Sequence, residues 1–142
     1  VPHRERLYIS PLRKERQCVL MSHSDPRAGR RELLYRELHK SPFVSGTVGS
    51  LDDVIMKDLC RKYSIMPGRV YRADNFEADM SLIQHGKGVA FGPESFAKHF
   101  NVAAVPVNPK TDIYLNLICL RENRNNALVI ELNSLLKQQF SY

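Results

Sequence analysis

The sequence predicts an α/β fold. Short β-prone runs alternate with segments of helical periodicity along nearly the whole chain, which is typical of a layered α/β domain with a substantially parallel sheet. Hydrophobic residues make up 43% and charged residues 25% of the 142 residues, as in globular proteins that form a core of their own. We therefore expect one domain, or one domain with part of a second.

The N-terminal third is predicted to contain strands around a short helix. Residues 7–10 and 17–21 form either two strands or one strand kinked at Pro11, because proline cannot donate a ladder hydrogen bond. A leucine-rich segment around Leu33, Leu34 and Leu38 then predicts a short helix that Pro42 ends. Residues 43–45 follow as a strand.

The clearest helix signal lies in the middle of the chain. Ser50, with Asp53 three residues later, resembles a capping box, and apolar residues recur at helical spacing until Pro67 and Gly68. We expect a helix from Leu51 to Ser64 and a strand from Arg69 to Arg72. A second helix, capped at Asp74 or Asn75, is expected to end at Gly86.

The C-terminal half continues the alternation. Pro93 is placed at the start of a short helix, and a terminal helix is expected to begin after Asn125 or Asn126. The expected strands are residues 88–92, 102–107 and 113–120, and the last of these is apolar enough to be central in a sheet.

The cysteines and the apolar runs indicate the cellular compartment of the protein. Cys18, Cys60 and Cys119 are widely spaced, which argues against a disulfide framework or a zinc site and fits a reducing compartment. No apolar run reaches the roughly 20 residues of a membrane span, and the first residues lack the apolar stretch of a signal peptide. We expect a cytoplasmic protein.

Charge and motifs give little support for an enzyme. The net charge is +6, but the densest basic cluster, Arg27, Arg30 and Arg31, is interrupted by glutamates. That pattern indicates a solvated face, with an anionic partner as the alternative. Residues 86–88 are glycine-rich but lie between a helix and a strand, the reverse of a nucleotide-binding turn. We expect no catalytic residues, no metal and no cofactor.

Three strand-to-helix junctions share a similar chemistry. Ser45, Gly46 and Thr47 form the first, Asn75 and Phe76 belong to the second, and residues 92–94 form the third. Taken singly, each is ordinary capping. Together, they could place free N–H groups and small polar side chains at one sheet edge, where open α/β sheets bind ligands. Ser45 and Thr47 would supply hydroxyl groups, and Asn75 would supply an amide.

The order of the motifs resembles that of a known family. The segment ELHKSPFV at residues 37–44, the helix that closes on Pro67 and the run LIQHGKGVAFGP at residues 82–93 follow one another at its spacing. They resemble the effector-binding domain of LysR-type transcriptional regulators over nearly the whole chain. Gly92 stands where that family usually has leucine.

The resemblance implies a periplasmic-binding-protein-like (type II) α/β fold, with a mixed, mostly parallel sheet flanked by helices. Residues 1–12 would be a crossing strand, residues 13–102 the second lobe (regulatory subdomain II), and residues 103–142 the return strand with the C-terminal part of the first lobe (regulatory subdomain I). The rest of the first lobe and an N-terminal winged helix-turn-helix that binds DNA would lie outside this sequence.

The resemblance also implies a sensing role without catalysis or cofactor. A small, anionic metabolite would bind in a cleft between lobes, lined by Ser45, Gly46, Thr47, Asn75 and Phe76. The helix from Leu51 to Ser64 and the strand from Arg69 to Arg72 would mediate a homodimer or tetramer.

The alternatives to this role are a solute-binding protein of a transport system and an α/β enzyme acting on a phosphorylated substrate. Cys60 falls near one cysteine of the family's peroxide sensors, but Val48 occupies the region of the other. Sensing through a thiol pair is therefore not expected.

Overall fold

The computed structural model describes residues 4–140, with side chains to residue 139. The chain divides into two compact units. The larger unit is Arg16–Thr111, and the smaller unit combines residues from Val1–Glu15 and Asp112–Tyr142. The boundaries between the two units fall after Glu15 and after Thr111.

The described residues form seven strands and four α-helices, joined by short 3-10 turns. The strands are β1 Leu7–Met21, β2 Leu33–Leu34, β3 Phe43–Ser45, β4 Val70–Arg72, β5 Ala90–Pro93, β6 Ala103–Asn108 and β7 Asp112–Leu120. The helices are α1 Leu51–Lys62, α2 Phe76–Gln84, α3 Phe96–His99 and α4 Ala127–Phe140, and the 3-10 turns are Arg4–Arg6, Tyr35–Leu38 and Arg121–Asn123. The predicted alternation of strands and helices is confirmed.

The sheets of the larger unit are mixed. One has the strand order β2-β6-β1-β5, and β3 and β4 form a second, parallel pair. β1 runs antiparallel to β5 and to β6, whereas β2 and β6 are parallel. The strand pairs that do not involve β1 are therefore parallel, as expected, and those of β1 with β5 and β6 are antiparallel. β1 and β6 run in opposite directions because β1 carries the chain into this unit and β6 carries it out.

The N-terminal runs form one continuous strand that contains Pro11, which agrees with the second of the two predicted alternatives. Pro93 was expected to start a short helix but is the last residue of β5, and the helix α3 begins at Phe96. The leucine-rich segment is not an α-helix: Leu33 and Leu34 pair with β6 as β2, and Tyr35–Leu38 is a 3-10 turn. Leu33 is fully buried, so burial against a strand distant in sequence overrides the local helical periodicity.

The core of the larger unit lies on both faces of β1. Val19 and Met21 belong to one apolar cluster, with Phe43 and Val105 among its members. Leu20 belongs to a second cluster that includes Ile83 from α2. Because alternate residues of a strand point to opposite faces, the continuous apolar run of β1 supplies both clusters.

The smaller unit has a more open surface. β7 pairs with β1, and α4 begins where the Asn126 side chain accepts a hydrogen bond from the Leu128 N–H at 2.9 Å. Within the described residues β7 pairs only with β1, so the expectation that this strand is central was wrong. The side chains of Tyr114, Leu115 and Ile118 are exposed in the structure. Among the residues described, no helix combines the length and apolarity needed to span a membrane.

Candidate functional site

The first two predicted junctions lie side by side because β3 and β4 are parallel neighbours. Ser45 is paired with Arg72 at the carboxyl end of the two strands. Just beyond that pair, the backbone N–H of Ala73 donates to the Ser45 carbonyl at 3.3 Å. The loops that leave the two strands therefore start next to each other. We refer to residues 45–47 and 73–76 together as the candidate wall.

Ser45 and Gly46 are buried in the candidate wall, and Thr47 is exposed. Among the residues described, no hydrogen-bond partner reaches the buried Ser45 Oγ. The Gly46 carbonyl accepts a hydrogen bond from Arg72 Nη1 at 2.9 Å. A Cβ at Gly46 would lie 2.8 Å from Ser50 Oγ, so a larger residue here would displace the side chain that caps α1. Ser45, Gly46 and Thr47 thus combine an unsatisfied hydroxyl with a tight turn.

Asn75 and Phe76 begin α2. Asn75 is its N-cap, and its Oδ1 accepts a hydrogen bond from the Ala78 N–H at 2.8 Å. The Asn75 amide oxygen is therefore already used within the chain. Phe76 is partly exposed and packs edge-to-face on Phe96 and Phe100, with ring centroids 5.6 and 5.0 Å away.

The third junction follows a strand that runs beside β3. Phe43 forms a parallel bridge with Val89, and the Val44 N–H donates to the Val89 carbonyl at 2.8 Å. Gly92 is a β5 residue paired with Cys18, and the Glu94 N–H donates to the Arg16 carbonyl at 3.2 Å. Phe96, two residues beyond Glu94, packs on Phe76 of the candidate wall.

Asp53 holds a buried ion-pair network that sequence reasoning treated as capping alone. Its carboxylate accepts hydrogen bonds from Arg72 Nη1 at 2.7 Å, from Lys57 Nζ at 2.8 Å and from the Gly49 N–H at 2.9 Å. Its N–H donates to Ser50 Oγ, the N-cap of α1. The hydrogen bond from Lys57, followed by those from Gly49 and Arg72, holds the pKa of Asp53 well below its usual range.

Asp79 is a second buried carboxylate that sequence reasoning missed. It lies in α2, and its Oδ1 has no hydrogen-bond partner among the residues described. The nearby Ala73 N–H favours its ionised form and lowers its pKa. Burial, and then the nearby charges of Asp52 and Asp74, raise the pKa of Asp79 to about 6. Its position in an amphipathic helix gave no signal, because burial of a single carboxylate depends on what the helix packs against.

The fold and the edge of the β3–β4 pair define an α/β ligand-binding module. The sequence matches the model of the LysR substrate binding domain over residues 1–141. The chain belongs to that family and is an effector-binding regulatory domain of a LysR-type regulator. The transport-protein alternative is less supported, because the matching family is one of regulators.

Solved structures of related domains share the fold. The regulatory domain of CcmR from Synechocystis in complex with 2-PG is 14% identical, with a TM-score of 0.80 over 99% of this chain and 70% of that one. The effector binding domain of QuiR in complex with shikimate is 18% identical, with a TM-score of 0.73 over 98% and 67%. A mutant of OxyR from Corynebacterium glutamicum is 23% identical, with a TM-score of 0.75 over 98% and 44%. No curated protein matches the sequence.

Proposed function

We propose that the candidate wall is one side of the effector pocket, lined by Ser45, Gly46, Thr47, Asn75 and Phe76. The observation that carries this proposal is the Ser45 hydroxyl, which is buried and lacks a hydrogen-bond partner within the described chain. A buried polar group without a partner costs about 1–3 kcal/mol. A ligand at the ends of β3 and β4 would remove that cost.

The proposed response is a change in lobe arrangement. Residues 13–102 would act as the second lobe, with residues 1–12 and 103–142 contributing to the first. An effector changes such an equilibrium only through its different affinity for the two arrangements. The arrangement would then control DNA binding by a winged helix-turn-helix elsewhere in the regulator.

We expect this sensing to occur in the cytoplasm, without catalysis or cofactor. Cys18, Cys60 and Cys119 are not joined in disulfides, which fits a reducing compartment. Burial raises the pKa of the Cys60 thiol, which lowers its reactivity toward oxidants. Binding energy at the candidate wall, not thiol chemistry, would therefore carry the signal.

Self-association is proposed through α1 and β4. Leu51, Val54 and Ile55 of α1 are exposed, and β4 pairs within the described chain only with β3. An exposed apolar helix face beside an open strand edge fits a symmetric dimer contact. Dimers or tetramers of the regulator would use the helix from Leu51 to Ser64 and the strand from Arg69 to Arg72.

Effector response in the full regulator tests the candidate wall. We expect Ser45→Ala and Thr47→Val each to shift the effector dose-response curve about tenfold to higher concentration, since each removes one ligand hydrogen bond. The matched control is Ser81→Ala, which removes an exposed hydroxyl from α2 outside the wall. Dose-response curves of both wall variants that overlay the wild-type curve would contradict the proposal.

Sedimentation velocity tests the interface. Val54→Glu places a charge on the proposed contact and is expected to raise the dimer dissociation constant at least tenfold. Asp58→Asn changes charge on α1 at an exposed ion pair with Arg61 and should have little effect on association. Dimers that survive Val54→Glu with unchanged affinity would place the interface elsewhere.

A further inference from the structure

Exposed carboxylates without an ion pair lie around the candidate wall. Two cations beside it, Arg72 and Lys57, both bind the same carboxylate, that of the buried Asp53. Asp52, Asp74 and Glu77, in the turns and first helical turns around it, are exposed and have no ion pair among the described residues. These side chains add negative charge to this surface, although the whole chain carries a net charge of +6.

An anion has no ready position at the two helix starts. N-terminal helix turns attract anions through their free N–H groups and positive dipole ends. Asp52 and Asp53 already occupy the first turn of α1, and Glu77 and Asp79 that of α2. Ser50 Oγ accepts from the Asp53 N–H, and Asn75 Oδ1 accepts from the Ala78 N–H. A carboxylate or phosphate ligand would meet like charge at both.

Asp79 adds a poorly hydrated charge behind this surface. It is 7% exposed, its Oδ1 has no partner among the residues described, and Ser45 Oγ is in the same condition. Both residues lie near Ala73, because the Ala73 N–H donates to the Ser45 carbonyl at 3.3 Å and lowers the pKa of Asp79. Water screens a charge in such a position weakly, so its field reaches the wall.

The nature of a matching ligand follows from the surroundings of these groups. Within residues 4–140, no three His, Cys, Asp or Glu side chains are arranged to hold a metal ion. Asp52 and Asp74 are exposed, and their charges raise the pKa of Asp79, so both lie near it. Phe76, 42% exposed, offers an aromatic face two residues from Asp74, and such faces attract organic cations.

The geometry points to a small organic cation, bearing an ammonium or guanidinium group, as the ligand of the candidate wall. In this arrangement, Asp52 and Asp74 contact the charged nitrogen, and Asp79 selects for its charge from the buried side. This inference rests on the proposed effector pocket and deepens it. It replaces the anionic metabolite expected from the sequence, and the two alternatives separate experimentally.

Titrations followed by ¹⁵N–¹H NMR of the 142-residue chain test the ligand class. The probes are 1,4-diaminobutane and succinate, which share a four-carbon length and differ in the sign of charge, each at constant ionic strength. We expect the diamine to shift the amide signals of Gly46, Ala73 and Asn75, and succinate to leave them in place. Asp79→Asn should weaken diamine binding about tenfold.

A matched variant separates local from overall charge. Asp112→Asn removes one negative charge from the smaller unit and should leave diamine affinity unchanged. Equal weakening by Asp112→Asn and Asp79→Asn, or no diamine-induced shift at the wall, overturns the cation assignment. Succinate shifts at Gly46 and Asn75 that Ser45→Ala abolishes would overturn it while preserving the pocket. Normal effector response of the Ser45→Ala and Thr47→Val regulators would instead remove the pocket itself.

Discussion

Asp53 and Asp79 occupy similar positions in the fold and have opposite electrostatic environments. Each is a buried carboxylate near the start of a helix beside the β3–β4 pair. Asp53 is surrounded by Arg72, Lys57 and a backbone N–H, whereas Asp79 has one backbone N–H and the negative charges of Asp52 and Asp74. Burial alone therefore does not decide what a carboxylate contributes; the supply of partners does.

The two pKa shifts have opposite consequences for stability. The pKa of Asp53 is lowered from 3.8, so this residue stabilises the folded state at neutral pH, and the contribution is lost as the pH falls below 3.8. The pKa of Asp79 is raised from 3.8 to about 6. Its favourable contribution is therefore complete only below pH 3.8 and is lost as the pH rises through 6.

The largest effect is expected from Asp53→Asn. This change leaves Arg72 and Lys57 facing a neutral amide in a buried site, and it should lower the melting temperature at pH 7 by roughly 10 °C. Differential scanning calorimetry provides the measurement. Asp58→Asn, at the exposed pair with Arg61, should change the melting temperature little. Similar melting temperatures for the Asp53→Asn variant and the wild type would show that the network is not stabilising.

A smaller effect of opposite sign is expected from Asp79→Asn. An amide carries no charge to desolvate, so the variant should be more stable than the wild type by about 1–3 kcal/mol at pH 8. Urea denaturation at pH 8 and pH 4 gives the comparison, and the gain should shrink at the lower pH. A destabilised variant at pH 8 would mean that Asp79 has a favourable partner after all.

The smallest effect is expected at the cap between the two carboxylates. Asn75→Ala removes the acceptor of the Ala78 N–H and should cost about 1 kcal/mol of unfolding free energy. Asn75→Asp keeps an oxygen at the same place and serves as the control for the cap. Urea denaturation at pH 7 measures both. An Asn75→Ala variant as stable as the wild type would show that the cap is energetically unimportant.

Sequence reasoning predicted the elements whose signals are local. Ser50 indicated the start of α1, and its hydroxyl accepts the Asp53 N–H as a cap should. Asn75 was likewise predicted as a cap of α2 and is its N-cap. The assignment of Leu33 and Leu34 to a helix was wrong. These residues pair with Val107 and Asn108, which lie more than 70 positions away in the sequence. No local pattern carries that information.

The candidate site follows the same division. Ser45 and Asn75 could be named because each follows a β-prone run and precedes a helix, and parallel neighbouring strands place such positions at one edge. Asp53 could be identified from the sequence as a polar residue near a helix cap. Its ion pair with Arg72, 19 residues away, could not be identified, because it depends on the pairing of β3 with β4. Asp79 could not be identified, since nothing in the order of residues 76–84 distinguishes a buried carboxylate from an exposed one.

The sequence by itself determined the alternation of strands and helices, the starts of α1, α2 and α4 and the family, because capping, periodicity and motif order are written over short stretches of chain. Only the tertiary structure decided which strands pair, which carboxylate gains cations and which remains without them. Those outcomes depend on contacts between distant segments, and the free energy of a buried charge is set by its neighbours in space rather than by its neighbours along the chain.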